Sequence, residues 1–153
     1  MYTLLMFFVA ERSMRIIVEI PPTQQGIRLI DEMMKDYIAI HSLPYERELC
    51  FVLHELVINA VEAMQKVEDP ERQSIQVKIE NIHGTIRMCV IDFADGIPEQ
   101  EWQEVLTYEM DAMGESFDRG RGLFFVQHMV DQLWFEYIGP HQFLVGVTKK
   151  LVV

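Results

Sequence analysis

The sequence predicts an α+β fold, a two-layer α/β sandwich in which a mixed β-sheet is covered on one face by helices. Three observations carry that prediction. Segments of period-two alternation come in pairs, as hairpins near residues 74–91 and 134–153. Segments of helical period bunch between the strands. The strict strand-helix alternation that a doubly wound sheet requires is missing.

Taken in order, Arg15 to Ile20 is β-branched and stops at Pro21-Pro22, which reads as a strand and its end. Ile27, Ile30, Met33, Met34, Tyr37 and Ile38 then recur at three- and four-residue steps, a helix broken at Leu43-Pro44. Tyr45 to Val67 is the longest helical segment. Ser74 to Glu80 alternates, Asn81 to Gly84 turns, and Thr85 to Ile91 continues as the second strand of a hairpin. From Asp92 to Gly122 the periodicity is lost apart from a short helical piece at Pro98 to Leu106, and Gly96, Gly114 and Gly120 punctuate a long loop region. Leu123 to Leu133 regains helical spacing. Trp134 to Ile138 and Phe143 to Val153 form a closing hairpin around Gly139-Pro140. The division is an N-terminal extension or extra strand over residues 1–14 and one domain over 15–153.

With 153 residues, half of them hydrophobic and 24% charged, the chain can bury a full core without disulfide or metal staples. Its 13 basic and 24 acidic residues give a net charge of −11. Nucleic acid is excluded as a partner, because binding it needs a basic face and positive charge clusters only at Lys149-Lys150 and Arg119/Arg121. The longest N-terminal apolar run, Leu4 to Ala10, is far shorter than the roughly 20 residues of a membrane span. Cys50 and Cys89 each sit in an apolar run and read as buried thiols, which suits a reducing cytoplasm.

On the long helix Glu48, Glu55, Asn59, Glu62 and Lys66 fall within an arc of roughly 60° at about 100° per residue. Leu49, Val52, Leu53, Leu56, Val57, Ala60, Ala63 and Met64 take the wide opposite face, the core side of an amphipathic helix. A solvated stripe satisfies that spacing. Phe51 and Ile58 interrupt the polar side, however, and asparagine is a mediocre helix former in mid-helix, so a covered stripe satisfies it too. Asp92 ends a strand and opens Asp92-Phe93-Ala94-Asp95-Gly96-Ile97-Pro98, where a carboxylate can accept the hydrogens of an exocyclic amine and a glycine lets the backbone turn against a ligand. Gly120-Arg121-Gly122-Leu123 runs into a helix, an arrangement that offers backbone N–H groups to phosphate. No GxGxxG or GxxxxGK is present, so neither a dinucleotide fold nor a P-loop is supported. The five histidines show no ligand spacing, and HExxH fails because Ile58 follows His54-Glu55 at the required place.

In this order and spacing the motifs resemble the Bergerat-fold (GHKL, histidine-kinase-like) ATPases. Glu55-Leu-Val-Ile-Asn59-Ala60 is similar to their N-box, Asp92 to Ile97 to their DxGxGI box, and Gly120-Arg121-Gly122-Leu123 to their second glycine box. The compact chain most resembles the bacterial anti-sigma-factor serine/threonine kinases. The resemblance implies ATP and Mg²⁺ as cofactors, Glu55 as the general base, Asn59 as the Mg²⁺ ligand and Asp92 as acceptor from the adenine amine. Gly96 and Ile97 would complete the base loop, Gly120, Arg121, Gly122 and Leu123 would close over the phosphates, and Thr148 would stand beside the adenine. It further implies transfer of the γ-phosphoryl group to a small anti-sigma-factor antagonist-like protein, and leaves open a sigma factor as second partner and a homodimer. Two residues depart from the pattern, Ala94 at the first glycine of the box and Glu62 where relatives are often basic. Both fit the alternative of a catalytically weak or inactive nucleotide- or partner-binding module.

Overall fold

The computed structural model describes residues 15–107 and 121–151. Strand β1 (Ile16–Ile20) leads into helices α1 (Gln24–His41) and α2 (Glu46–Met64), and a 3-10 turn at Pro70–Arg72 precedes the hairpin of β2 (Ile75–Ile82) and β3 (Thr85–Asp92). Helices α3 (Glu99–Thr107) and α4 (Arg121–Met129) follow, then the hairpin of β4 (Gln132–Gly139) and β5 (Gln142–Lys150). Residues 1–14, expected as an extension or extra strand, and the glycines at 114 and 120 lie outside the described residues.

Helix boundaries follow the local chemistry. Thr23 caps α1, its hydroxyl accepting from the Gly26 amide at 3.1 Å. At the other end Ser42 adopts a left-handed φ of 52°, Leu43 N donates back to Ile38 O at 3.0 Å, and Pro44 forbids continuation. Helix α2 starts after Tyr45 without a side-chain cap, and Glu46 and Glu48 meet the positive end of its dipole. Helix α4 stops at Met129, short of the expected Leu133. Lys149 Nζ donates to the terminal carbonyl of Met129 at 2.6 Å, and the Asp131 amide joins Thr148 O at 2.9 Å, which draws Gln132 and Leu133 into β4.

The sheet order is β1-β2-β3-β5-β4, and every pairing is antiparallel. The α+β sandwich is as the sequence predicts, but the mixed sheet is corrected to an antiparallel one. The chain leaving β3 is carried over the helices to the far edge, and the β4–β5 turn then returns β5 to lie against β3 in the opposite sense. Leu49, Val52, Leu53, Leu56, Val57 and Met64 of α2 are all within 1% of complete burial and pack on Val77, Ile79, Met88, Val90, Val145 and Val147 of the sheet. Each such aliphatic side chain contributes roughly 1.5–3 kcal/mol by leaving water. On the opposite sheet face Cys89, Ile91 and Leu144 cluster with Trp134. Burial pushes the Cys89 and Cys50 thiols up from their ordinary pKa, yet Cys50 is only half-buried, so the expected pair of buried thiols reduces to Cys89. Among the described residues no helix is long and apolar enough to cross a membrane.

Candidate functional site

The polar stripe of α2 is covered in its middle, where Glu55 is half-buried and Asn59 buried, and solvated at Glu62 and Lys66. Helix α4 packs across α2, and its first turn brings Gly122 so close to Glu55 that any side chain at Gly122 would collide with the Glu55 carboxylate. The atom met is the far end of a flexible side chain, so the approach sets Glu55 against the first turn of α4 without making glycine obligatory. One turn further along α2, Asn59 is 9% exposed, and its Nδ2 has no hydrogen-bond partner among the described residues. Burying an amide nitrogen unpaired costs about 1–3 kcal/mol, a cost that a polar ligand in the adjoining cavity would remove. Asn59 lines a cavity of about 590 Å³ together with Glu62, Lys66, Ala94, Asp95 and Gly96.

The facing wall of that cavity is the loop leaving β3. Asp92, the last residue of the strand, is 1% exposed and stands opposite Phe143 of β5. Its Oδ1 accepts from the Ala94 amide at 3.0 Å, a turn that ties the carboxylate to the cavity wall. Gly96 has a φ of 74°, and a Cβ there would lie 2.7 Å from the Phe143 ring and 2.8 Å from the Tyr137 hydroxyl. Backbone sign and packing both demand glycine. Gly96→Ala is therefore expected to destabilise the fold by roughly 2–4 kcal/mol, the sum of a left-handed penalty and overpacking against a buried ring. Denaturant unfolding at constant slope measures it; a loss below about 1 kcal/mol would show that the loop shifts at little cost.

Asn59, Ala94, Asp95 and Gly96 thus share one cavity, with Asp92 hydrogen-bonded to its wall and Glu55 one helical turn away toward Gly122. The arrangement runs along α2 from Asp92 through Asn59 to the start of α4. Three expected residues do not join it as ligands. Ile97 and Leu123 are 3% and 1% exposed, so their side chains are core anchors for the loop and for α4. Thr148 is corrected outright: it pairs with Arg87, and its hydroxyl donates to Gln132 at 3.0 Å. It lies about 17 Å along β5 from Phe143, the residue that does face Asp92, and on the sheet face away from the helices. Strand parity explains this, since Val147 points to the core and Thr148 must point the other way. Arg121 and Gly122 belong to the first turn of α4 and not to a loop, while Gly120 falls outside the described residues.

Sequence reasoning missed Lys66 as a cavity residue. It lies four residues after Glu62 and seven after Asn59 on the same stripe, and it brings a positive charge into the cavity that carries Glu62 and Asp95. It also missed the braces of the loop. The Arg72 guanidinium donates to Phe93 O, the Phe93 amide donates to Met64 Sδ at 3.3 Å, and the Trp102 indole donates to Ile97 O at 2.6 Å. These partners come from three separate elements, so no local motif announces them. Elsewhere, His54 Nδ1 donates to Asp31 Oδ1 at 2.9 Å across α1 and α2, a half-exposed structural pair. Among the described residues no group of three His, Cys, Asp or Glu is arranged to hold a metal ion by itself.

Comparison with known structures finds this fold in several solved chains. The RsbU and RsbW domains of Rv1364c from Mycobacterium tuberculosis superpose with a TM-score of 0.63 at 16% identity over 90% of this chain, which spans 32% of that one. The SiaB–SiaC complex from Pseudomonas aeruginosa gives 0.61 at 11% identity, covering 97% of this chain and 96% of the matched chain. The catalytic domain of the histidine kinase ThkA gives 0.56 at 15% identity, covering 89% and 96%. At these identities the likeness is one of fold, and no curated protein matches the sequence significantly. The sequence model of one family does match, over residues 20–149, a span that starts at the end of β1 and takes in Glu55, Asn59, Asp92 and the first turn of α4. With β2 to β4, nearly all of β5, the α2 stripe and the loop after β3 inside that span, the chain belongs to the histidine kinase-like ATPase family.

Proposed function

We propose that this protein is an ATP- and Mg²⁺-dependent serine/threonine protein kinase of the anti-sigma-factor type, acting in the cytoplasm on a small antagonist-like protein. The observation that carries the reading is the buried Asn59 amide, its Nδ2 without a partner among the described residues, at the wall of a cavity whose other wall is the loop that follows Asp92. Asn59 would hold Mg²⁺ through its amide oxygen, a hard donor suited to that ion, while Nδ2 is left as a donor for a phosphate oxygen. When bound, that ion neutralises charge on the phosphates. Asp92 selects the base by accepting its exocyclic amine, and the N-terminal turn of α4 with Arg121 and Gly122 meets the phosphates. Glu55 takes the proton of the attacking serine or threonine hydroxyl as the new oxygen–phosphorus bond forms. The bond from the γ-phosphorus to the bridging oxygen breaks, and ADP leaves with that electron pair. The structural likeness to the SiaB–SiaC complex supports a protein partner, with a sigma factor and a second copy of this chain as further candidates.

Glu62, exposed at the same cavity, favours a second reading. A carboxylate facing the phosphates raises the cost of binding them, which suits a nucleotide- or partner-binding module with weak or absent turnover. Lys66, one turn on, offsets that charge and keeps the kinase reading in front. Calorimetry of ATP with and without Mg²⁺ on wild type and Asn59→Ala tests both. The kinase reading expects Mg²⁺ to tighten ATP binding in wild type, at least tenfold of that gain to vanish in Asn59→Ala, and ADP formation to fall with it. No binding by wild type at millimolar ATP would leave a scaffold that shares only the fold.

A further inference from the structure

The loop that lines the cavity is held from outside by two aromatic side chains that no motif includes. The Tyr137 hydroxyl, from β4, donates to Asp95 O at 3.0 Å and to Ile97 O at 2.8 Å, the two carbonyls that flank Gly96. Trp102, from α3, donates its indole N–H to Ile97 O at 2.6 Å. The two rings stack at 5.9 Å with 21° between planes, and Tyr137 also rests on Phe143 at 5.0 Å. Phe143 is fully buried and is the residue paired with Asp92. One hydroxyl hydrogen is shared by two carbonyls, while Ile97 O has a second donor in Trp102; Asp95 O therefore relies on Tyr137 more heavily. The backbone between them carries the left-handed Gly96.

We infer that Tyr137 is a positioning residue for the base-binding loop: its hydroxyl, with the Trp102 indole, fixes the backbone on both sides of Gly96 and so sets the distance between the Ala94–Gly96 lining and the Asn59 wall of the cavity. The inference rests on the nucleotide reading given above. Tyr137 is not among the residues lining the cavity and reaches it through its bonds to Asp95 and Ile97. With alanine at position 94, the loop carries a single glycine and its shape depends on outside donors, which Arg72 supplies on the far side at Phe93 O.

The test is Tyr137→Phe, which keeps the ring stack and removes one oxygen. Losing a half-exposed hydroxyl that bonds both carbonyls flanking Gly96 is expected to weaken ATP binding by about five- to tenfold. Amide exchange over residues 93–98 should accelerate, with protection in β2 and β3 unchanged. Trp102→Phe, which removes the indole N–H together with part of the ring that packs on Tyr137 and Phe135, should also accelerate exchange over the same residues and weaken ATP binding. Equal ATP affinity in wild type and Tyr137→Phe overturns the positioning role, and so does a loss of affinity that comes only with a general loss of protection. Failure of wild type to bind ATP overturns the nucleotide reading itself, a result the variant cannot imitate.

Discussion

Glu55→Gln is expected to lower γ-phosphoryl transfer by about 10²- to 10⁴-fold while ATP affinity stays within about twofold of wild type. Glutamine matches glutamate in size and still fits against Gly122, where the carboxylate makes its closest approach to α4. What it lacks is an oxygen able to take a proton. If Glu55 activates the hydroxyl, only the chemical step suffers. A rapid-mix assay of ADP formation at saturating Mg-ATP, run beside calorimetry, separates the two quantities. Turnover above about a tenth of wild type would mean that Glu55 orients the partner without accepting its proton, and a parallel fall in ATP affinity would mean that the carboxylate belongs to the binding surface.

Much of this site was legible because the chemistry-bearing residues sit at element ends or on one helix face, where spacing is informative. Asn59 stood out as an amide in mid-helix on a stripe broken by Phe51 and Ile58, and the structure buries Asn59 and sets α4 against Glu55 one turn away. Asp92 stood out as a charge at the end of a buried strand, and it is 1% exposed. The antiparallel sense of β5 was not legible, because a strand's direction relative to its neighbour depends on where the preceding crossover lands. Thr148 failed for a related reason: residue type survives a one-position slip in a strand, but the face it points to does not. The braces Arg72, Trp102 and Tyr137 come from far along the chain, 20 residues before Asp92, 10 after it and 45 after it. Their role exists only once the fold has brought the 3-10 turn, α3 and β4 to one loop.

The decisive change for recognition of the base is Asp92→Asn, expected to weaken ATP binding by about 100-fold. Asparagine in the same pose keeps an oxygen for the Ala94 amide, so the turn that shapes the loop survives. It replaces one carboxylate oxygen with an NH₂ group, and an acceptor becomes a donor. Against the exocyclic amine of adenine this sets donor against donor. The loss of a hydrogen bond to a charged group, about 1.5–3 kcal/mol, combines with an unpaired polar atom in a site that is 1% exposed. The same exchange favours a purine with a 6-oxo group, which presents an acceptor in that place. Titration of wild type and Asp92→Asn with ATP and with inosine triphosphate should therefore show the preference reversing, because a site built to pair one polar group rejects its opposite. Loss of affinity for both nucleotides in a folded variant would indicate a disturbed loop, and unchanged ATP affinity would place the base away from Asp92. Reversal would tie Asp92 to the 6-position of the base, leaving Asn59 and Glu55, one turn apart on α2, for the metal and the reacting phosphate.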